Sequence, residues 1–199
     1  MSLALDQAAK QVGDRDLSHD LEKLRDLARD LESIRAETFS KYQRLLDTLR
    51  REKWKPRDSK DRLVIFTERR ETLAFLREHL PDDLKLKEEQ VRELHGGLSD
   101  MDQQAIVEEF GNTRSKVRLL LATDVASEGL NLHYLCHRLV HFDIPWSLMV
   151  FQQRNGRIDR YGQDQAPQIT YLLTRSEVEK IQGDHRILEI LINKRARLR

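Results

Sequence analysis

The stretch Val117–Asn131, VRLLLATDVASEGLN, is where the fold of this chain declares itself. A short apolar run ends at Thr123 and gives way at once to an acid, a serine, a glycine and an amide. So short a run, closed by turn-forming residues, suits a strand buried on both faces of a parallel sheet. Runs of the same kind occur at Leu63–Thr67, Val91–His95, Arg138–Ile144 and Gln168–Leu173. Between them, apolar residues recur at helical spacing over Glu68–Leu80, Asp100–Phe110, Ser147–Arg160 and Ser176–Lys194. Capping chemistry marks several helix starts: Ser99 precedes Asp102 by three residues, Ser176 precedes Glu179 by three, and Ser147 follows Pro145. Alternating strands and helices predict an α/β domain, with a parallel sheet covered by helices on both faces through right-handed crossovers.

Upstream the pattern differs. Residues 1–13 carry no firm signal. From Ser18 to Trp54, leucines at positions 21, 24, 27 and 31, then Tyr42, Leu45, Leu46 and Leu49, recur at helical spacing among dense charges. The heptad register fails around Arg35 and Thr38, which argues for one long or two shorter amphipathic helices rather than an extended coiled coil. The proline-containing polar segment KPRDSKD, residues 55–61, separates the two regions. The expected organisation is a helical lead-in over 1–55, an α/β domain over 56–175 and a C-terminal helix over 176–199.

Composition narrows the function. A chain of 199 residues holds one domain and an appendage. Its formal charge is +1, so no global field draws it to nucleic acid, and any such contact must be local. The basic tail NKRARLR suits a solvated helix end. The single cysteine, Cys136, cannot close an intrachain disulfide and is expected to be a buried small hydrophobe, in keeping with a reducing cytoplasm. No apolar run nears the roughly 18 residues of a membrane span, no signal peptide is visible, and no Cys/His set at ligand spacing suggests a metal site.

In parallel α/β sheets, ligands gather at the carboxyl ends of the strands. After the first strand come Thr67, Glu68, Arg69 and Arg70; Thr67 can cap the next helix, and Arg69 or Arg70 can meet a phosphate. After the second come His95, Gly96 and Gly97, suited to a tight turn or a close backbone approach. After the third, Thr123, Ser127, Gly129 and Asn131 offer hydroxyl, backbone and amide contacts to sugar and phosphate. After the fourth comes Phe151–Gln163, FQQRNGRIDRYGQ. On a helix, Gln153, Arg157 and Arg160 fall at i, i+4 and i+7 and share a face, with Gly156 opening the backbone beside them. Such a face suits a planar anion, most simply a phosphate. Ordinary turns and a solvated basic face would also accommodate these residues. The chain has no GxxxxGK[ST] loop and no acidic pair placed to hold magnesium. The arginines are therefore expected to act on a nucleotide bound mainly by another domain, and to look idle and disordered in this chain alone.

Residues 61–175 resemble the second RecA-like domain, the helicase C-terminal domain, of superfamily-two helicases and translocases. LVIFTERRETL resembles motif four, LHGGLSDMDQQAIVEEF the following HG…F motif, LLLATDVASEGLNL motif five and QQRNGRIDRYGQ motif six. The GLNL ending, FDIPW and RYGQ are similar to the Swi/Snf-like branch and its bacterial RapA-like subgroup. The resemblance implies a RecA-like fold preceded by an amphipathic helical extension. It implies Arg157 and Arg160 as arginine fingers, Gly129, Asn131 and Gln153 at the nucleotide, and Thr67, Arg69, His95, Gly96, Thr123 and Ser127 on the nucleic-acid backbone. It also implies an ATP hydrolase working with ATP and Mg2+ bound mainly by a missing N-terminal lobe, on double-stranded DNA, with RNA polymerase or another protein as a further partner. Alone, the chain is expected to be inactive. A non-catalytic α/β interaction module and a lobe of an RNA helicase are the alternatives. Gln103 departs from the arginine common in relatives, which removes any ion pair carried over to that position.

Overall fold

A computed structural model describes residues 18–124, 132, 135–175, 184 and 187–190. The chain divides into two compact units, Met1–Gln43 and Arg44–Arg199.

In the smaller unit, helix α1 (Ser18–Ser33) carries the first leucine series. Leu24, Leu27 and Leu31 are 44–52% exposed, while Ala28 is buried. Two helices form rather than one long helix, because a turn intervenes where the heptad fails. There Thr38 accepts from the Arg35 N–H through its hydroxyl at 3.0 Å, and its own N–H donates to the Arg35 carbonyl at 3.0 Å. Helix α2 (Ser40–Arg51) begins after that turn.

The larger unit is built on five parallel strands in the order β2-β3-β1-β4-β5. They are β1 (Arg62–Phe66), β2 (Val91–Leu94), β3 (Leu119–Ala122), β4 (Cys136–His141) and β5 (Gln168–Tyr171). Every strand expected from the sequence forms, with ends that differ by one to three residues; β1 and β4 begin one and two residues earlier than expected. Central β1 is buried throughout, and Leu63, Val64, Ile65 and Phe66 have no exposed surface. Successive side chains of a strand point to opposite faces, so both faces of the sheet are covered. On one face Val64, Phe66, Leu120, Ala122 and Leu139 pack with Phe110 of helix α4 (Asp100–Gly111) and with Ile158. Helix α3 (Arg70–Asp83) buries Leu73, Leu76 and Leu80 and packs on β2 and β3. Each fully buried leucine or phenylalanine contributes about 2 kcal/mol. Ser99 and Ser147 cap their helices as expected, accepting from the N–H groups of Asp102 and Val150. Cys136 is fully buried, and burial pushes its thiol up to about 12.

The polar segment before β1 is tied down more firmly than its composition suggests. Asp61 is 7% exposed. Its carboxylate accepts from the Lys55 N–H at 2.9 Å and from Arg138 Nε at 2.5 Å, and its carbonyl accepts from the Trp54 indole at 2.9 Å. Of the C-terminal helix expected over 176–199, Asp184 and residues 187–190 are helical; the other positions lie outside the described residues.

Arg62, at the start of β1, has no exposed surface. Its guanidinium donates to the carbonyls of Phe110 and of Asn112 (2.6 Å), the terminal acceptors of α4, and lies 5.5 Å from the Phe110 ring centroid. Those carbonyls have no partner within the helix, so the arginine closes it. Desolvation lowers its pKa to about 10, with Arg118 adding to the effect. Replacing Arg62 by methionine fills much of the space but strands these carbonyls. We expect a loss of about 2–4 kcal/mol, read from the midpoint of urea denaturation.

Candidate nucleotide and nucleic-acid edge

Because all five strands are parallel, the residues that follow them share one edge of the sheet. Backbone bonds continue the ladder there: Thr123 N–H donates to Leu94 at 2.9 Å, Thr67 to Ala122 at 3.0 Å, Phe142 to Phe66 at 2.9 Å and Leu172 to His141 at 3.0 Å. The edge therefore carries, in spatial order, His95 after β2, Thr123 after β3, Thr67 after β1 and Asp143 after β4. The sequence had separated them widely.

Thr67 is fully buried and is not a helix cap, contrary to expectation. Its hydroxyl donates to Asp143 Oδ2 at 2.5 Å, while α3 begins three residues on, with Arg69 at the N-cap and no side-chain cap. The carboxylate of Asp143 is an acceptor for this hydroxyl, and Asp143 also accepts from the Glu68 N–H at 3.3 Å. Partial desolvation raises the Glu68 carboxyl; Asp124 and Asp143 push the same way, and Arg154 and Arg69 oppose them.

His95, Gly96 and Gly97 form a turn. Leu98 N–H donates to the His95 carbonyl at 3.1 Å, and Gly97 N–H donates to His95 Nδ1 at 3.1 Å. A Cβ on Gly97 would stand 3.1 Å from Arg70 Nη1 and 3.2 Å from His95 Nδ1, so the glycine admits the Arg70 guanidinium beside the histidine. Gln103 donates to the Leu98 carbonyl at 3.0 Å, so in place of an ion pair its amide fastens the end of this turn. Arg69 and Arg70 are both exposed.

The motif from Phe151 to Gln163 differs from its expected form. Helix α5 (Leu148–Asn155) stops before Arg157, so Gln153, Arg157 and Arg160 do not line one helical face. The backbone turns after Gly156, with Arg157 and Ile158 N–H groups donating to Arg154 at 3.1 Å and Asn155 at 3.2 Å. Fully buried Ile158, drawn into the core, makes the turn. Gly156 does not open the backbone to a ligand either. A Cβ there would stand 3.2 Å from the Gln152 carbonyl of its own last helical turn. The two expected fingers separate in environment: Arg157 is 8% exposed, with its carbonyl accepting from Leu132 N–H at 3.3 Å, whereas Arg160 and Gln153 are exposed. Arg157 is thus enclosed by the fold. Ser127, Gly129 and Asn131 lie outside the described residues.

Sequence reasoning passed over Arg154, the side chain that organises this edge. It has no exposed surface. Its fork meets Asp124 twice, Nε to Oδ1 at 2.5 Å and Nη2 to Oδ2 at 2.7 Å, while Nη1 donates to the Asp143 carbonyl at 2.8 Å. Its guanidinium lies 5.5 Å from the Phe66 ring centroid. Nη1 also reaches His141 Nδ1 at 3.4 Å, and His141 Nε2 meets Asn155 Oδ1 at 2.7 Å. Arginine can only donate, so Nδ1 accepts and Nε2 carries the proton. Asn155 Nδ2 then donates to the Tyr171 hydroxyl at 3.2 Å. The His141 ring stacks with Phe151 and Tyr171, at centroid distances of 5.5 and 4.8 Å. The signal for Arg154 was its place one residue after Gln153, at the buried phase of the helix carrying Phe151. Among the described residues no group of three or more His, Cys, Asp or Glu side chains could hold a metal ion.

Two outcomes follow from this network. Asp124→Asn keeps the shape but leaves a buried guanidinium without its countercharge, and should cost about 3 kcal/mol in denaturant titration. Burial lowers the His141 pKa to about 3, with Arg154 adding and Asn155 opposing. The unfolded chain takes up that proton below about pH 6.5 and the folded one does not. Stability is thus full above pH 6.5 and falls as the solution is acidified toward pH 3. His141→Gln should flatten the pH 7 to 5 slope of unfolding free energy by about 2 kcal/mol.

The model of the helicase conserved C-terminal domain matches residues 40–162, more than half of the chain. An uncharacterized ATP-dependent helicase, YqhH of Bacillus subtilis, is 32% identical over 134 residues, covering 67% of this chain and 22% of that protein. The probable ATP-dependent RNA helicase DDX43 of Homo sapiens is 33% identical over 122 residues, covering 58% and 18%. The RNA polymerase-associated protein RapA of Yersinia enterocolitica is 36% identical over 75 residues, covering 38% and 8%. The chain thus spans less than a quarter of the length of each of these relatives. In fold it is similar to the C-terminal part of the Fun30 ATPase domain, with a TM-score of 0.61 at 22% identity over 76% of this chain and 45% of that one. The RecA-like architecture and the resemblance to a Swi/Snf-like second lobe are borne out. The chain belongs to the helicase conserved C-terminal domain family, as the second RecA-like lobe of superfamily-two proteins.

Proposed function

We propose that this chain is the C-terminal motor lobe of an ATP-dependent DNA translocase of the Swi/Snf-like kind. The observation that carries this is the row along the carboxyl edge. His95, Thr123 and Thr67 end neighbouring strands there, and Arg154 ties the same edge to the helix leading into Arg157 and Arg160. In this reading Arg69, His95, Gly96, Thr123 and Ser127 grip the phosphate backbone, which carries little base specificity, while buried Thr67, expected there too, instead holds Asp143 in place. Gly129, Asn131 and Gln153 face the nucleotide. Arg157 and Arg160 stabilise charge on the transferring phosphoryl group. The nucleotide is the substrate, ATP with Mg2+. The carboxylates on this edge, Asp124 and Asp143, are already taken up by Arg154 and Thr67, which suits the phosphate end and leaves the metal to an N-terminal lobe. Buried Arg157 holds its position through the fold, while exposed Arg160 is the group that a closing lobe can meet. Double-stranded DNA is the track, RNA polymerase or another protein a further partner, and the cytoplasm the compartment.

A second reading, a lobe of an RNA helicase, is favoured by the similarity to DDX43. ATPase stimulation of the full-length protein by duplex DNA or by RNA separates the two.

In the full-length protein, Arg160→Ala should lower kcat by about 10³-fold or more with nucleotide binding and melting temperature little changed. Arg157→Ala should lose kcat and melting temperature together, since that side chain is buried. The 199-residue chain by itself should show no turnover. Near wild-type kcat in Arg160→Ala would remove the finger assignment.

A further inference from the structure

The opposite edge of the same sheet holds a feature that the motor reading does not use. A cleft of about 480 Å³ opens where the chain enters β1, β2 and β3. Pro56 and Arg57 precede β1, Leu84 to Gln90 lead from α3 into β2, and Lys116 and Arg118 precede β3. Its lining carries five cations, Arg57, Lys85, Lys87, Lys116 and Arg118, against one carboxylate, Glu89. That carboxylate is already held by Lys116 Nζ at 3.0 Å. The lining thus has a formal charge of +4, in a chain whose whole formal charge is +1.

Arg118 also lines the cleft. Its Nη1 donates to the carbonyls of Ser115 at 2.7 Å and Val117 at 2.8 Å, but its Nε is buried with no hydrogen-bond partner. A buried donor without an acceptor is costly in a protein that supplies nothing to meet it. The neighbouring cation Arg62 adds to the local positive field. Desolvation lowers the Arg118 pKa, and Asp58 opposes this. Lys85 stands at the end of α3 with φ 55°, the left-handed region that a side-chain-bearing residue enters at a cost. Glycine would end the helix there with less strain.

We propose that this amino-edge cleft is a second nucleic-acid contact, seating backbone phosphates of a duplex gripped by the opposite edge. It rests on the motor reading above. Phosphate fits better than a carboxylate peptide because three of the five cations are lysines on long exposed stems, suited to point charges in variable positions.

The test uses the full-length protein and a duplex of roughly 30 base pairs, about three helical turns. The variant Lys85→Gly/Lys87→Gln/Lys116→Gln removes three charges while relieving the strained φ. The control Lys23→Gln/Arg51→Gln/Lys53→Gly removes three exposed charges elsewhere. Affinity is measured by fluorescence anisotropy across a salt series. The cleft variant should lose about tenfold in affinity near 0.1 M salt, and its log–log salt slope should fall by about 2–3. The control should lose markedly less, and basal ATPase should be unchanged in both. A cleft variant with wild-type affinity and slope overturns the inference, while duplex-stimulated ATPase in the same protein leaves the motor reading standing. A wild type that binds no duplex overturns both. A cleft variant that loses binding to poly-glutamate but keeps the duplex intact overturns the inference in favour of an acidic protein partner.

Discussion

The larger unit is organised at its functional edge by one buried guanidinium. Arg154 joins the segment after β3 to helix α5 through a two-pronged pair with Asp124, and joins the segment after β4 through the Asp143 carbonyl. A charge without exposed surface is tolerated only when it is paired and hydrogen-bonded throughout. Moving α5 would break all of these bonds together. The turn bearing Arg157 and Arg160 is therefore placed by a residue that is itself out of reach of any ligand. Asp143 then extends the constraint to β1 by accepting from Thr67.

Arg62 does the corresponding work at the other end of β1 by closing α4 through its last carbonyls. The central strand thus begins and ends beside a buried arginine, each about 5.5 Å from an aromatic ring, Phe110 or Phe66. The two edges differ in what they present. The carboxyl edge mixes hydroxyls, carboxylates and arginines in a connected network. The amino-edge cleft sets five cations against one carboxylate. That contrast separates an edge built for orientation from one suited to a non-specific grip on charge.

Much of the fold was legible in the sequence. Short apolar runs closed by Thr67, His95 and Thr123 marked the parallel strands, because a strand buried on both faces needs no alternation. Ser99 and Ser147 marked helix starts through a local hydrogen bond that sequence spacing reveals. The helix carrying motif six is shorter than its periodicity predicts. Periodicity continued through Gly156 to Arg160, but the core claimed Ile158 and turned the chain. The neighbours of Thr67 in sequence suggest a helix cap, but Asp143, 76 residues later, takes its hydroxyl instead.

The sequence by itself determined the alternation of strands and helices, the four motifs in their order, and the family to which the chain belongs. These rest on local patterns that survive any tertiary arrangement. Only the tertiary structure decided that Arg154 is the buried anchor, that Arg157 is enclosed while Arg160 is open, and that five cations from three separate segments meet at the amino edge. Each of these depends on which distant side chain lies opposite. Burial and pairing are properties of that encounter, and spacing along the chain does not encode them.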